Sequence, residues 1–159
     1  MKAKRGFTLV EILIVVVILG ILAAIVIPQF TEASTEAKLS SLCSDLQTVR
    51  SQIELYKVQH NDKLPGTTTN GATFVQSMTG YTDIDGNVWA SGAGTKYGPY
   101  LQQMPTNSFN QDSDVQIGTG SPAGTADYGW YFNTDTGAFN ANDNYDGDDT
   151  NTDPDHLSL

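Results

Sequence analysis

A nearly unbroken apolar run near the N-terminus constrains this chain more than any other feature. Residues 7 to 27 read FTLVEILIVVVILGILAAIVI, which matches the ~20 residues that an α-helix needs to cross the hydrocarbon of a bilayer. Lys2, Lys4 and Arg5 precede the run, and the next basic residue is Lys38. The positive-inside rule therefore predicts one membrane helix with a cytoplasmic N-terminus, followed by residues that lie outside the cytoplasm.

One acidic residue, Glu11, interrupts this run. A carboxylate at that depth costs about 2.5 kcal/mol or more, so it needs a partner or a function. A secretory signal peptide, for which residues 22 to 24 offer a small-residue cleavage site, and a plain signal anchor both leave Glu11 unexplained. Cleavage between Gly6 and Phe7 would instead create an α-amine about one helical turn from Glu11. That amine could neutralise Glu11 of its own chain, or pair with Glu11 of a neighbour and set the axial register between subunits.

The residues around Glu11 resemble the start of type IV pilins and type II secretion pseudopilins. Residues 4 to 11 read KRGFTLVE, and the apolar span follows. In that family a prepilin peptidase cuts after the glycine and methylates the new N-terminal phenylalanine, and the glutamate guides assembly. The resemblance therefore implies cleavage after Gly6, methylation of Phe7, and a role for Phe7 and Glu11 in assembly.

Pro28 comes directly after the apolar run. Proline removes a backbone donor and clashes with the preceding turn, so a helix that continues through Pro28 should kink or open locally. Helical periodicity resumes beyond it, which favours a continuous helix over a membrane helix that ends there. Pilins similar to this chain have a melted stretch near this point in the filament, which implies an assembly role for Pro28.

An apolar stripe characterises residues 31 to 60. Its members repeat at spacings of three and four residues, as on an amphipathic helix with one buried face: Leu39, Leu42, Leu46, Val49, Ile53 and Tyr56. Since no other segment has a comparable helical pattern, a β-sheet is the predicted partner of the stripe. Cys43 flanks the stripe and is interpreted as a small buried apolar residue. His60 is interpreted as a helix-end residue without chemistry.

Short aromatic and β-branched pieces follow Pro65, separated by clusters of Gly, Asn, Asp and Pro. This pattern is typical of strands and turns. Residues 73 to 79 are predicted to form a short helix or an irregular turn. One hairpin is predicted around Asp85-Gly86 and a second around residues 134 to 137.

The predicted fold class is α+β and pilin-like. A long N-terminal helix, first transmembrane and then amphipathic, packs on a small antiparallel β-sheet domain, in which Trp130 and Phe132 alternate with Tyr131 along a half-buried strand. The expected divisions are a cleaved leader over 1–6, a hydrophobic assembly helix over 7–30, an amphipathic helix over 31–60, a loop-rich β domain over 61–142 and an acidic loop or tail over 143–159.

Acidic residues concentrate in the distal half of the chain. The formal net charge is −10, and residues 65 to 159 contain twelve Asp or Glu against one Lys or Arg. Such a surface repels phosphate backbones, so no direct binding of nucleic acid is expected.

Oxygen ligands cluster around Gly147, and calcium binds six to eight oxygens in flexible geometry. Asp146, Asp148 and Asp153 are the first candidates for a calcium site, and Asp112 and Asp114 form a second, poorer one. A solvated tail is the alternative, because the spacing lacks the register of an EF-hand loop. Major pseudopilins, which this region resembles, have a calcium site in their C-terminal loops.

No enzyme is expected. His60 and His156 are the two imidazole bases of the chain, which also lacks a nucleophile-elbow or phosphate-loop motif.

The resemblance implies a major pilin or major pseudopilin that forms a homo-oligomeric helical filament. Its implied partners are a prepilin peptidase, an inner-membrane assembly platform and minor pilins or pseudopilins. The chain would lie in the bacterial inner membrane before assembly and in a periplasmic or extracellular filament afterwards. The alternative is a membrane-anchored, calcium-dependent binding module that does not polymerise.

Overall fold

A single long helix dominates the structure. The computed structural model describes residues 7–67, 71–89, 96–122, 124 and 127–143. Helix α1 runs from Leu9 to Gln59 and contains Pro28 in its interior, so the predicted continuation through Pro28 is confirmed. The chain divides into two compact units, Met1–Lys38 and Leu39–Leu159, and each is described by itself.

The first unit contains the apolar part of α1. The side chains of this part are exposed along its length, with 81% exposure at Leu9, and Phe7, just before the helix, is 84% exposed. By length and composition, α1 includes a segment long enough and apolar enough to cross a membrane. Exposure of these apolar side chains to water is unfavourable, so they require lipid or other helices as a partner.

The second part of α1 supplies one side of the core of the distal unit. Leu42, Leu46, Val49, Ile53 and Tyr56 are at most 1% exposed. They pack with the following buried side chains from beyond the helix: Phe74, Met78, Met104, Trp130, Phe132, Phe139 and Ala141. The predicted packing of the stripe against a sheet is confirmed. Leu39, the first member of the predicted stripe, is only half-buried and is not a member of this core.

The helix ends where its sequence changes from apolar periodicity to turn-forming residues. Asn61 and Asp62 adopt left-handed backbone angles, with φ of 54° and 62°. The Asp62 N–H donates to the carbonyl oxygen of Lys57 at 2.9 Å, which satisfies one of the carbonyls that a helix end leaves free. The predicted end near residue 60 is confirmed.

A short helix and a small hairpin follow α1. Helix α2 spans Phe74–Thr79, and Thr73 and Gln76 form a capping box at its start. Strands β1, Tyr81–Thr82, and β2, Val88–Trp89, pair antiparallel. Gly86 in the connecting turn has a φ of 82°, which glycine adopts without strain. The hairpin predicted around Asp85-Gly86 is present.

A three-stranded sheet completes the distal unit, with strand order β3-β4-β5. Strands β4, Trp130–Asn133, and β5, Phe139–Ala141, pair antiparallel and form the second predicted hairpin. Strand β3, Val115–Gly118, pairs parallel with β4 and was not predicted. The α+β class is therefore confirmed, and the larger sheet is mixed.

Two predictions about burial were wrong. All four residues of β4 are buried, because the segment after β3 covers the second face: the Tyr131 hydroxyl donates to the Gly120 carbonyl at 2.9 Å. Tyr131 therefore does not face solvent as the alternation with Trp130 and Phe132 suggested. Cys43 is half-buried and not a member of the core, since it lies one position beside the buried stripe.

Candidate functional site

The first residues of α1 form a reciprocal set of hydrogen bonds. The Thr8 backbone N–H and the Thr8 hydroxyl both donate to Glu11 Oε2 at 2.8 Å. In return, the Glu11 N–H donates to Thr8 Oγ1 at 3.2 Å. Because Thr8 directly precedes the first helical residue and Glu11 is three residues further on, this is a capping box.

The capping box gives Glu11 a fixed position at the start of an apolar helix. It satisfies N–H groups that the helix start would otherwise leave without a partner. It also holds a negative charge at the positive end of the helix dipole, where a carboxylate is favourable. The sequence-based interpretation of Glu11 considered only an α-amine as its partner, although the spacing Thr8-x-x-Glu11 is itself a signal for a capping box.

The predicted site residues near the N-terminus are only partly placed by the structure. Phe7 is adjacent to Thr8 and largely exposed. Gly6 lies outside the described residues, so only Phe7, on the C-terminal side of the predicted cleavage position, is described. Pro28 lies within α1, nearly five turns beyond Glu11, and is not part of the same cluster.

The preferred calcium candidates, Asp146, Asp148 and Asp153, lie outside the described residues. Within the described residues, no group of three or more His, Cys, Asp or Glu side chains could hold a metal ion. Asp112 and Asp114 belong to a turn in which Asp112 Oδ1 accepts the Asp114 N–H at 2.8 Å. In this poorer candidate pair, the Asp112 side chain therefore stabilises the local backbone.

A buried carboxylate stands directly before the acidic C-terminal segment. Asp143 is 2% exposed, and its Oδ2 accepts a hydrogen bond from Asn107 Nδ2 at 2.7 Å. Asn107 is fully buried and also donates to the Gly129 carbonyl at 2.9 Å. The start of the acidic segment is therefore anchored to the strand β4 region by hydrogen bonds.

His60 was predicted to be a simple helix-end residue, but it is part of a buried aromatic cluster. It is 0% exposed, and its ring stacks on Tyr56 with centroids 3.9 Å apart. Its Nδ1 lies 2.8 Å from the Tyr56 carbonyl oxygen and its Nε2 lies 2.9 Å from Thr82 Oγ1. His60 therefore connects the end of α1 to β1. Nearby, burial raises the pKa of Tyr100 to about 12, and the Tyr100 hydroxyl donates to Gln59 Oε1 at 2.6 Å.

The hairpin of β1 and β2 is organised by one carboxylate. Asp83 Oδ1 accepts the backbone N–H groups of Asp85 and Asn87 at 2.9 and 3.0 Å. Its Oδ2 accepts Asn87 Nδ2 at 3.1 Å and Trp89 Nε1 at 2.9 Å. Desolvation opposes ionisation, but these hydrogen bonds outweigh it and lower the pKa of Asp83 below its ordinary value. Both oxygens are thus engaged in holding the turn.

Two open clefts lie on the distal unit. One, of about 370 Å³, is bordered by α1 and the β4–β5 turn, where Arg50 Nε donates to the Phe139 carbonyl at 2.9 Å. The other, of about 400 Å³, is bordered by α2 and the segment around Met104. Among the described residues that line them, neither cleft combines a nucleophile with a histidine base.

Comparisons with known proteins find a family match for the N-terminal segment and relatives that align with most of the chain. Residues 1–27 match the prokaryotic N-terminal methylation motif. The chain is 30% identical over 112 residues to the type II secretion system core protein G of Klebsiella pneumoniae, covering 70% of this chain and 74% of that protein. It is also 30% identical over 123 residues to fimbrial protein Q of Moraxella bovis, covering 70% and 75%. The chain belongs to the type IV pilin-like family.

The similarity of this pilin-like chain to other relatives is higher but shorter. It is 38% identical over 79 residues to the type II secretion system core protein G of Pseudomonas aeruginosa. That alignment spans 50% of the pilin-like chain and 55% of the relative, so only about half of each protein is matched. No solved structure matches the chain. The family suggested by residues 4 to 11 is confirmed, and relatives of both the secretion and the fimbrial type are found.

Proposed function

We propose that this chain is a structural subunit, a major pilin or major pseudopilin, of a type IV-like filament. A prepilin peptidase cleaves it after Gly6 and methylates Phe7, and the chain polymerises through the N-terminal part of α1. The observation that carries this proposal is Glu11, held in the first turn of a helix whose following side chains are apolar and exposed. A charged residue of this kind in a membrane helix is a functional-site hypothesis by default.

Cleavage would change the electrostatics of this first turn. The new α-amine on Phe7 is adjacent to Thr8, whose N–H already contacts Glu11 Oε2. A positive charge next to the carboxylate reduces the free-energy cost of keeping Glu11 in hydrocarbon. When a neighbouring chain supplies the amine, the same pairing joins two subunits and selects one axial offset between their helices.

Assembly follows from the exposed apolar face of the first unit. A helix extracted from lipid would expose the apolar side chains of residues 9–27 to water. Packing against the helices of other copies removes that surface from water, which is favourable in proportion to the apolar area buried. The apolar part thus supplies affinity, and the Phe7–Glu11 pair supplies register.

Pro28 is a position at which α1 can open locally. Proline has no N–H, so the carbonyl of Ala24, four residues earlier, receives no backbone hydrogen bond from that position. One missing bond lowers the local stability of α1 at the end of its apolar part. We propose that α1 opens here in the filament, so that subunits can slide during assembly or stretching.

The remaining predicted partners and divisions follow from the same proposal. The chain lies in the bacterial inner membrane before assembly, with the leader of residues 1–6 in the cytoplasm, and in a periplasmic or extracellular filament afterwards. An inner-membrane assembly platform and minor pilins or pseudopilins act with it. Residues 7–30 anchor and assemble, 31–60 carry the distal domain, and 61–142 and 143–159 form its loop-rich part and acidic end.

Calcium is proposed as a ligand of the acidic C-terminal segment. Asp146, Asp148 and Asp153 would hold the ion, which would fix this segment to the domain by carboxylate coordination. The segment begins at Asp143, whose side chain accepts a hydrogen bond from Asn107, so a bound ion would add a second attachment to the one already present.

Calcium binding is expected to raise the thermal midpoint of the detergent-solubilised full chain. A ligand that binds only the folded state stabilises it by about 2.7 kcal/mol at about 100 times its Kd. Calcium is titrated to the millimolar range and unfolding is followed by near-UV circular dichroism. Magnesium is the matched control, and the triple variant Asp146→Asn/Asp148→Asn/Asp153→Asn should lose the effect. An unchanged midpoint at millimolar calcium discards the site.

The proposed function is tested in cells that express the protein. Deletion of its gene should remove a sheared filament that contains this chain, and complementation should restore it. Loss of surface filaments indicates a pilus, whereas loss of exported enzymes indicates a secretion pseudopilus. A protein that stays uncut and monomeric after detergent extraction would instead favour the calcium-dependent binding module.

A further inference from the structure

Strand β3 forms one edge of the three-stranded sheet, whose strand order is β3-β4-β5. On its inner side, the Asp114 carbonyl accepts the Trp130 N–H at 3.1 Å, and the Gly118 carbonyl accepts an N–H just after β4 at 2.9 Å. Along a strand of a parallel pair, every second residue bonds to the neighbouring strand. The residues between these positions, Val115 and Ile117, therefore direct their N–H and carbonyl groups away from β4.

The outward backbone groups of β3 are unpaired within the described part of the chain. Among the described residues, neither the N–H nor the carbonyl of Val115 or Ile117 takes part in a hydrogen bond. Ile117 is 45% exposed, so water reaches this side of the strand. We call Val115–Ile117 with its outward backbone groups the β3 edge. Such a row of unpaired donors and acceptors is a template on which an extended chain can add as a further strand.

The β3 edge lacks the side chains that usually prevent strand addition. Proteins protect an open edge with lysine, with proline, or with other charged residues in the strand. Strand β3 reads Val-Gln-Ile-Gly and contains none of these. Residues 97–159 contain no Lys or Arg at all. Two of the four residues of β3 are β-branched, which favours the extended backbone that an added strand needs as its partner.

A cleft lies at the start of the same strand. The cleft of about 400 Å³ next to α2 is bordered by Ser113 and Asp114, the two residues that precede β3. Its lining also includes the apolar side chains of Val75 and Met104. In strand addition, main-chain hydrogen bonds provide affinity and pockets for alternate side chains provide specificity. The β3 edge and this cleft supply one feature of each kind.

Charge selects the partner. Asp112 and Asp114 precede β3, and Asp114 is exposed. Pairing of β3 with β3 of a second copy would bring these carboxylates close to their counterparts, and like charges across an interface oppose binding. The surrounding half of the chain is also acidic, with twelve Asp or Glu against one Lys or Arg over residues 65 to 159. An extended segment that carries Lys or Arg is therefore complementary to this edge, and a second β3 is not.

We propose that the β3 edge binds an extended, positively charged polypeptide segment of another protein, which adds to the sheet as a fourth strand. Its backbone pairs with Val115 and Ile117, one of its side chains enters the cleft next to α2, and its Lys or Arg side chains lie near Asp112 and Asp114. This interaction goes beyond the filament role, because it uses the distal unit and not the N-terminal part of α1. Since part of the attraction is between exposed charges, binding should weaken as the salt concentration rises.

Amide hydrogen exchange of the full chain in detergent, followed by NMR, tests the contact residue by residue. The probe is a short peptide in which valine and lysine alternate. Without it, the amides of Val115 and Ile117 should exchange fast and that of Gln116 slowly, because Gln116 bonds to β4. With the peptide, exchange at Val115 and Ile117 should slow by about tenfold or more.

Two results of this experiment would overturn the inference. One is unchanged exchange at Val115 and Ile117 with the peptide in the millimolar range. The other is protection that appears without peptide and grows with the concentration of the chain, which would identify a second copy as the occupant. Neither result affects the proposed filament function, which does not depend on the β3 edge.

A proline substitution tests the backbone pairing. Ile117→Pro removes one outward N–H and no hydrogen bond to β4, and an edge strand tolerates proline at such a position. It should weaken binding of the fluorescently labelled peptide about tenfold, as measured by anisotropy. Ile117→Val keeps the N–H and should bind like the unaltered chain. Equal near-UV circular dichroism of the three proteins verifies folding, and equal affinity of the folded proline variant would contradict the proposal.

Charge substitutions test the choice of partner without changing β3 itself. Asp112→Asn/Asp114→Asn keeps oxygen acceptors in the turn but removes both charges, so it should weaken binding and reduce its salt dependence. Asp62→Asn/Asp135→Asn removes the same charge at exposed positions elsewhere and should bind like the unaltered chain. A peptide in which valine alternates with glutamate should not bind. Equal binding of the glutamate and lysine peptides would overturn the assignment to a positively charged partner.

Discussion

Glu11→Ala is expected to leave processed, methylated protein in the membrane and to abolish filaments. The substitution removes the carboxylate that would pair with the Phe7 amine of a neighbour, and also the capping box with Thr8. The two losses differ in size. A capping interaction contributes about 1 kcal/mol, and its loss shortens or frays a helix start but does not prevent the packing of a long apolar helix. Loss of register between subunits removes the filament itself.

Two matched variants separate these effects. Glu11→Gln keeps an acceptor for the Thr8 N–H, since glutamine serves at this position of a capping box, but removes the charge. Thr8→Val keeps the charge and removes the hydroxyl partner. We expect filaments to be lost in Glu11→Gln and retained in Thr8→Val, as measured by the ratio of sheared filament to membrane-bound subunit. The opposite pattern would show that Glu11 acts through the helix cap, and normal yield from Glu11→Ala would remove the register role of this residue.

Phe132→Ala is expected to have the largest effect on stability of the distal domain. Phe132 is 0% exposed, and its ring lies 4.3 Å from that of Phe74 at the centre of the core. Truncating a buried phenylalanine costs about 3–5 kcal/mol, against a typical total of about 5–15 kcal/mol for a domain. The midpoint of denaturant unfolding, followed by near-UV circular dichroism of the full chain in detergent, should fall steeply.

Ile117→Ala is the matched control for this substitution. Ile117 is the parallel register partner of Phe132 on the neighbouring strand, but it is 45% exposed. Its truncation should cost no more than about 1 kcal/mol. Similar losses in the two variants would mean that the Phe74–Phe132 contact is not central to the core, and that another part of the domain dominates its stability.

Features with a strong local period could be predicted from the sequence. Leu42, Leu46 and Val49 are spaced so that they can share one side only on a helix, and a helix with one apolar side needs a partner to bury it. The turn residues Asp85-Gly86 likewise restrict the backbone to a hairpin. In these segments local chemistry and tertiary packing require the same structure, which is why prediction succeeded.

Features that depend on distant partners could not be predicted in this way. Strand β3 has two apolar residues, Val115 and Ile117, and its parallel pairing is fixed by β4, which begins only at Trp130. His60 is buried beside Tyr97, and its Nε2 contacts Thr82, 22 residues further along the chain. The spacing of Thr8 and Glu11 by itself indicates a capping box. The prediction of an α-amine partner was based instead on the free-energy cost of a carboxylate in an apolar run. The two explanations are compatible, because one carboxylate has two oxygens.

The N-terminus of the mature protein tests the central claim most directly. Intact mass and N-terminal fragmentation of the protein purified from membranes and from filaments identify its first residue and any modification. We expect a chain that begins with N-methylated Phe7 and lacks residues 1–6 in both fractions. A chain that begins at Met1, or after Ala24, would contradict the proposed processing and the assembly that depends on it.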